Sequence, residues 1–134
     1  MNEIRREIKF KVWSNKESKF TDTKWLMFGE EGFCMAQLYS NSGRYTDEEE
    51  ITVLQYTGRK DKNGVNEIYD GDIVLCSGIG NNADEKYNAE IVFCEEKAAF
   101  MLDTGCELLS FTEMSELCEI EVVGNIYEGG ISNV

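Results

Sequence analysis

The chain has no histidine and no proline among its 134 residues. Histidine is the side chain that most often acts as a general base near neutral pH and as a metal ligand. Its absence excludes Ser–His–Asp and Cys–His catalysis, and a zinc site would have to consist of cysteines alone. Without proline, every turn depends on glycine, asparagine and aspartate for its backbone geometry.

The five cysteines are odd in number, and no two of them form a C-x-x-C pair. Their spacing therefore indicates neither a metal site nor a disulfide framework. We interpret them as small apolar residues of strands in a reducing compartment. They are Cys34, Cys76, Cys94, Cys106 and Cys118.

Long apolar segments are also missing, because the chain has no run of about 18 apolar residues that would span a bilayer. The first residues, MNEIRREIKFKVW, are charged throughout and lack the apolar centre of a signal peptide. We therefore expect no membrane span and a cytoplasmic location. A chain of this length forms one domain, or one domain with an extension, and folding hides roughly two thirds of its unfolded surface.

Acidic residues outnumber basic residues by 26 to 13, which gives a formal net charge of −13. Residues 1–24 contain seven Lys or Arg against four Asp or Glu, whereas residues 63–134 contain two lysines against fifteen acids. The asymmetry indicates a basic beginning and a strongly acidic body. Such a surface is typical of a well-solvated protein, or it faces a basic partner, including the basic end of a neighbouring copy.

Short apolar and alternating stretches separated by turn residues predict strands along the whole chain. The stretches KWLMF and FCMAQLY, with GEEG between them, predict a hairpin. Five short strands in the second half favour a small β-barrel or a sandwich. They are DIVLC, AEIVFC, AAFMLD, CELLSF and EIEVVGNIY.

Only two places favour a helical turn, and both rest on a capping box. Thr46 is followed three residues later by Glu49, and Ser110 is followed by Glu113. No segment has a long apolar stripe with a period of 3.6 residues, so the sequence predicts no long amphipathic helix.

The stretch LQYTGRKDKNGVNEIYDGDIVLC, residues 54–76, contains two sets of residues that resemble functional sites. Asp61 and Asn63 suggest a calcium loop, but Gly64 arrives too early and no glutamate follows at the required distance. We interpret Asn63–Gly64 as a tight turn. Asp70 and Asp72 suggest acid–base chemistry, but a turn at Asp70–Gly71 explains them better, with Asp72 bonding backbone amides where a strand begins.

Three stretches of the chain together resemble the YopX family: REIKFKVW, LQYTGRKDKNGVNEIYDGDIV and IEVVGNIYE, in that order. The resemblance extends from Arg6 to Glu128. It implies a mainly β protein with an SH3-like barrel, found in bacteria that carry phages or prophages, and it makes homo-oligomeric assembly plausible. It supplies no catalytic residues.

We therefore predict a mainly β fold with an SH3-like small barrel in the C-terminal half and an N-terminal β-strand extension. The predicted boundaries are 1–56 for the N-terminal β subdomain, 57–128 for the barrel and 129–134 for a tail.

Aromatic and basic residues form the candidate interaction surface, because small barrels often bind nucleic acid through aromatic rings on one face with basic neighbours. Strand aromatics are more often core or interface residues, and the acidic body repels phosphate at distances near the Debye length of about 8 Å. The candidate residues are Trp13, Tyr56, Arg59, Lys60, Lys62 and Tyr69.

The sequence predicts no catalytic residue, no metal site and no cofactor, so we expect a protein that is not an enzyme. Its predicted function is protein binding or homo-oligomeric assembly in a bacterial cell that carries a phage or prophage. Two alternatives remain open. One is an acidic, DNA-like decoy that occupies a basic host or phage protein, and the other is nucleic-acid binding by one face of the barrel.

Overall fold

The computed structural model describes residues 7–38, 45–47, 50–62, 64–78 and 85–128 of the chain. Within these ranges the protein is mainly β, with twelve strands and one short helix, so the predicted fold class is confirmed. The chain divides into residues 9–55, which we call the N-terminal unit, and residues 1–8 with 56–134, which we call the barrel unit. The predicted tail, residues 129–134, lies outside the described residues.

Two small antiparallel sheets form the N-terminal unit. Its strands are β1 (Phe10–Ser14), β2 (Lys19–Thr21), β3 (Thr23–Gly29), β4 (Gly32–Leu38), β5 (Tyr45–Asp47) and the first half of β6 (Ile51–Lys60). β1 lies between β2 and β6, and β4 lies between β3 and β5. The predicted hairpin is confirmed as β3 and β4, which pair from Gly29 opposite Gly32.

The buried core of the N-terminal unit comes from three of its strands. Val12 of β1, Ala36 of β4 and Ile51 of β6 are buried together. A fully buried aliphatic side chain the size of Val12 or Ile51 contributes about 1.5–3 kcal/mol relative to leaving it in water. Three partly buried residues complete the cluster: Leu26, Phe33 and Val53.

The barrel unit contains the second half of β6 and the remaining elements. They are β7 (Glu67–Tyr69), β8 (Asp72–Gly78), β9 (Lys86–Cys94), β10 (Ala99–Asp103), β11 (Leu108–Ser110), α1 (Phe111–Leu117) and β12 (Cys118–Asn125). Five strands form one antiparallel sheet in the order β11-β10-β9-β8-β12. The last strand returns beside β8, and the sheet curls into an SH3-like half-barrel, as predicted for the C-terminal half.

Alternation explains which residues form the core of this barrel. Along β8, Val74 and Cys76 point inward, and along β9 the inward position is Ile91. These three side chains pack with Leu102 of β10 and Ile120 of β12. Inward and outward residues therefore follow the period of two that defines a half-buried strand.

The one helix among the described residues begins where the Ser110 capping box predicts a helical turn. The Ser110 hydroxyl accepts a hydrogen bond from the Glu113 backbone N–H at 3.1 Å, and α1 begins at Phe111. The cap satisfies an amide that would otherwise lack a partner at the helix start. The helix connects β11 to β12 and directs Phe111 and Met114 into the barrel core.

The turn before β8 is also as predicted. Gly71 has φ 86°, and the buried Asp72 carboxylate accepts a hydrogen bond from the Tyr69 N–H at 2.7 Å. The carboxylate thus holds the turn closed at the start of the strand. The Asn63–Gly64 turn is confirmed at Gly64, which has φ 67°. Asn63 lies outside the described residues.

The other predicted helical turn is wrong. Thr46 lies within β5, where it pairs with Ala36 of β4, so its backbone belongs to a sheet and not to a helix cap. Glu49, the second half of the capping box, lies outside the described residues.

Candidate functional site at the open end of the barrel

The aromatic half of the predicted interaction surface is buried. Trp13 is 6% exposed and packs against Phe20 in the N-terminal unit, with ring centroids 5.0 Å apart. Tyr56 and Tyr69 are 4% and 6% exposed in the barrel unit and pack on each other at 5.5 Å. These three rings are therefore not available on the surface to stack on a ligand. The accessible part of the predicted surface is the basic run that contains Arg59, Lys60 and Lys62.

A closed loop anchors this basic run at the end of β6. The buried Asp61 carboxylate accepts hydrogen bonds from the Asn66 backbone N–H at 3.3 Å and from its side-chain amide at 3.0 Å. The Asp61 carbonyl also accepts a bond from the Gly64 N–H at 2.8 Å. Asp61 is consequently a structural residue, and its neighbours Lys60 and Lys62 project from a fixed backbone.

Lys62 is held against β12. Its backbone N–H donates to the Ile120 carbonyl at 2.8 Å. Its ammonium lies 3.4 Å from a carboxylate oxygen of Glu119 and 3.7 Å from one of Glu121. Two carboxylates thus offset the charge of Lys62, although such exposed pairs contribute no more than about 1 kcal/mol each. Lys62 attaches the loop to the barrel rather than presenting an uncompensated charge.

Arg59 lies over the first residue of α1. The guanidinium carbon is 5.3 Å from the centroid of the Phe111 ring, a cation–π geometry, and Nη2 donates to Thr112 Oγ1 at 3.4 Å. The guanidinium lies on the buried Phe111 ring, and the two groups together form one wall of the site. The contact with the ring and the hydroxyl fixes the position of the Arg59 charge at the edge of the barrel.

Next to this wall, a groove of about 570 Å³ opens into the barrel; we call it the barrel-mouth groove. Phe93 of β9 and Phe100 of β10 face each other across the strands and form an edge-to-face pair, with centroids 5.2 Å apart and planes at 75°. The basic, aromatic and leucine side chains that line the groove are Arg59, Phe93, Lys97, Phe100, Leu108 and Phe111.

The groove exists because the apolar face of the sheet that forms the core extends past the residues that pack over it. Phe93 lies two residues after Ile91, and Phe100 lies two residues before Leu102, so both rings share the face that forms the core. Ile91 and Leu102 are fully buried, whereas Phe93 is 50% exposed and Leu108 of β11 is 47% exposed. Apolar side chains that normally fill a barrel are here accessible from outside.

Two basic side chains line this apolar opening, Arg59 and Lys97, together with one acid, Glu113. Lys97 is one of only two lysines in residues 63–134, where fifteen residues are acidic. The groove is thus a locally basic and aromatic site on an acidic protein. Arg59 was predicted from the sequence, whereas Phe93, Lys97 and Phe100 were not. Alternation predicts that the two phenylalanines point inward, but it carries no information on how far they are covered.

A separate group of titratable side chains lies on β9, β10 and the turn before β8. Burial raises the pKa of Glu90, and the carboxylates of Asp103, its partner in register, and of Asp70 raise it further. Burial also raises the pKa of Asp70. The pKa of Tyr127 is raised by burial and then by the carboxylates of Asp70 and Glu90. Raised pKa values of this kind are expected where half-buried acidic side chains lie close together. Among the described residues, no group of three or more Cys, Asp or Glu is arranged to hold a metal ion.

No helix within the described ranges is both long enough and apolar enough to cross a bilayer. The fold and the groove together define a small β protein with an SH3-like half-barrel whose apolar interior is open at one end.

Comparison with known proteins places the chain in a family. It belongs to the YopX family, whose description is YopX protein and which matches residues 9–130. Its structure is similar to the crystal structure of protein EF1440 from Enterococcus faecalis, with a TM-score of 0.66 and 21% sequence identity. That similarity covers 92% of this chain and 96% of EF1440, and it shows the shared fold. No curated protein matches the chain.

Proposed function

We propose that this protein is a protein-binding module without enzymatic activity, and that its barrel-mouth groove is the binding site. The partner is a protein segment that presents an apolar side chain next to carboxylates. The observation that carries this proposal is the half-exposed Phe93, which extends the barrel core to the surface between Arg59 and Lys97. As part of the same proposal, the protein acts in the cytoplasm of a bacterium that carries a phage or prophage.

The apolar part of the groove accounts for affinity. Covering Phe93 and Leu108 with a partner side chain removes apolar surface from water at about 25 cal/mol per Å². Aromatic side chains in a concave, partly preformed pocket are typical of residues that dominate the energy of an interface. The groove needs no rearrangement of the sheet to accept one apolar side chain.

The charges of the groove account for specificity. Arg59 and Lys97 attract carboxylates at short range, whereas the net charge of −13 repels an acidic segment at long range. Because salt screens the long-range repulsion more than the close contacts, binding of an acidic apolar segment depends only weakly on ionic strength. A basic protein bound to the acidic body would instead dissociate steeply as salt rises. Salt dependence therefore distinguishes this function from that of an acidic decoy.

The experiment is selection of peptides from a random library on the native protein, with the Phe93→Ser variant used for counter-selection. We expect selected peptides to contain an apolar residue flanked by Asp or Glu. A fluorescein-labelled peptide of this type then reports affinity by anisotropy. We expect Arg59→Glu and Lys97→Glu each to weaken binding by about tenfold, since a close charge pair is worth about 1.4 kcal/mol or more at an interface.

Lys86→Glu is the matched control, because Lys86 is an exposed lysine of β9 that does not line the groove and the substitution changes the net charge equally. Its effect should be less than about twofold, in line with screening of distant charges. Equal losses in Lys86→Glu and Lys97→Glu would contradict a local role of the groove. So would selected peptides that bind the Phe93→Ser variant as tightly as the native protein.

A further inference from the structure

Four side chains capable of bonding to a soft metal or donating to its ligands converge inside the barrel core. Cys76 lies on β8, Tyr87 on β9, Met114 on α1, and Cys118 is the first residue of β12. Cys76, Met114 and Cys118 are buried in one cluster, and Tyr87 packs against it. We call these four residues the sulfur cluster. They lie in four different elements of the barrel unit, so only the folded chain brings them together.

The strand pairing and the hydrogen bonds define the arrangement of the cluster. Cys76 pairs directly with Tyr87 on one side and with Ile120 on the other, which places Cys118 diagonally across from Cys76. The Cys118 thiol donates to the Met114 carbonyl at 3.2 Å, and the Tyr87 hydroxyl donates to Met114 Sδ at 3.7 Å. The two thiols belong to the same buried cluster and lie close enough to affect each other electrostatically. Three sulfur-bearing side chains therefore meet in one buried cluster of the core.

A disulfide does not suit this arrangement. Diagonal residues on neighbouring antiparallel strands have Cα atoms about 7–8 Å apart, whereas a disulfide usually joins Cα atoms about 4.4–6.8 Å apart. A metal ion between two sulfur atoms bridges a longer distance than a direct S–S bond does. The thioether of Met114 adds a third soft ligand on the helix side.

From this geometry we propose that the sulfur cluster is a binding site for a soft monovalent metal ion of the Cu(I) type. Thiolate and thioether sulfur select such ions, while carboxylates and carbonyls select hard ions. Cys76 and Cys118 bind as thiolates, so each thiol gives up one proton to solvent as its sulfur bonds to the metal. No electron is transferred, because the ion enters and stays as Cu(I). Because Met114 is a neutral ligand, the two thiolates and the Cu(I) ion together keep one net negative charge. The Tyr87 hydroxyl faces this charge.

Cysteines also bind soft metals without any built site, so the test begins with a chain in which the three cysteines outside the cluster, Cys34, Cys94 and Cys106, are replaced by serine. Cu(I) is supplied without oxygen as its coloured bicinchoninate complex. We expect this chain to remove one equivalent of Cu(I) from the chelator with unchanged near-ultraviolet circular dichroism. X-ray absorption at the copper edge should show three sulfur ligands.

Two variants separate a built site from incidental thiol binding. Met114→Leu conserves side-chain volume and keeps both thiols, so the fold should survive. We expect two sulfur ligands instead of three, and a loss in Cu(I) affinity of about tenfold or more, as is usual when support around a metal is removed. Cys118→Ser should abolish transfer from the chelator.

Three results would overturn the proposal. They are no transfer of Cu(I) to the chain that retains only Cys76 and Cys118, transfer accompanied by loss of the folded circular dichroism signal, and the same sulfur count in native and Met114→Leu chains. If the triple serine replacement does not fold, the accessible thiols of folded native and Met114→Leu chains are alkylated before Cu(I) is added, and X-ray absorption then compares the sulfur counts of the two chains.

Discussion

Gly71 and Tyr127 are in contact across the turn that precedes β8. A Cβ atom on Gly71 would lie 2.7 Å from Cε2 of the Tyr127 ring, and Gly71 has φ 86°. The Gly71 carbonyl also accepts a hydrogen bond from the Ile126 N–H at 3.0 Å, so the turn and the segment after β12 are joined at this point. Only a residue without a side chain allows this approach.

We therefore expect Gly71→Ala to lower the free energy of unfolding by about 2–3 kcal/mol, which combines backbone strain with displacement of the ring. Urea denaturation measures the loss. Gly64→Ala is the control, because Gly64 has φ 67° but a Cβ atom added to it would meet no atom within 4 Å, so only backbone strain of about 1 kcal/mol applies. Equal losses in the two variants would show that the Tyr127 contact does not matter.

The crowded acids on β9 and β10 predict a pH-dependent stability. Burial and the carboxylates of Asp103 and Asp70 raise the pKa of Glu90 in the folded chain, so the folded state binds its proton more tightly than the unfolded state does. The tighter proton binding stabilises the folded state at pH values below the ordinary pKa of 4.5. This stabilisation is lost as the pH rises through the pKa that Glu90 has in the folded chain. At neutral pH we expect Glu90→Gln to be more stable than the native protein, by no more than about 1 kcal/mol because the half-buried group keeps part of its contact with water.

Thermal unfolding from pH 4 to pH 8 tests this expectation. The advantage of Glu90→Gln should be present at neutral pH and shrink as acid protonates Glu90 in the native chain. Glu96→Gln removes a carboxylate from an exposed turn and serves as the control for the general relief of net negative charge. An equal gain in the control would assign the effect to net charge and not to the neighbours of Glu90.

The cysteines should differ sharply in their reactivity. Burial, followed by the neighbouring Cys118, raises the pKa of Cys76 to about 12, and burial also raises the pKa of Cys118. Alkylation requires the thiolate, so both should resist iodoacetamide in the folded state, whereas the exposed Cys106 should react first. Mass mapping after timed quenching follows each site, and denaturant should abolish the difference. Early modification of Cys76 in folded protein would contradict its burial.

The sequence predicted those parts of the fold that depend on local chemistry. The Ser110 cap, the Asp72 carboxylate at the start of β8 and the positive φ of Gly64 each follow from a side chain or its absence acting within a few residues. Strand alternation likewise explains the inward positions of the barrel once the strands are in place. Such features can be predicted from the sequence because the residues that cause them lie next to the residues they affect.

Features that depend on packing between distant segments could not be predicted from the sequence. The aromatic residues Trp13, Tyr56 and Tyr69 carry no local mark that distinguishes a buried ring from an exposed one. Phe93 is the opposite case, since its period predicts burial but half of its surface is exposed. Thr46 shows a third case, in which pairing with β4 overrides the preference of a short segment for a helical turn.

The return of β12 to β8 has a consequence for the newly made chain. The N-terminal unit needs only residues 9–55, whereas β8 ends at Gly78 and its outer partner begins at Cys118. At elongation rates of about 5–20 residues per second, roughly two to eight seconds pass between the synthesis of the two strands. During that interval one edge of β8 offers unpaired amides to any strand nearby. The pace of the ribosome across residues 79–117 therefore sets how long the nascent barrel is exposed to mispairing.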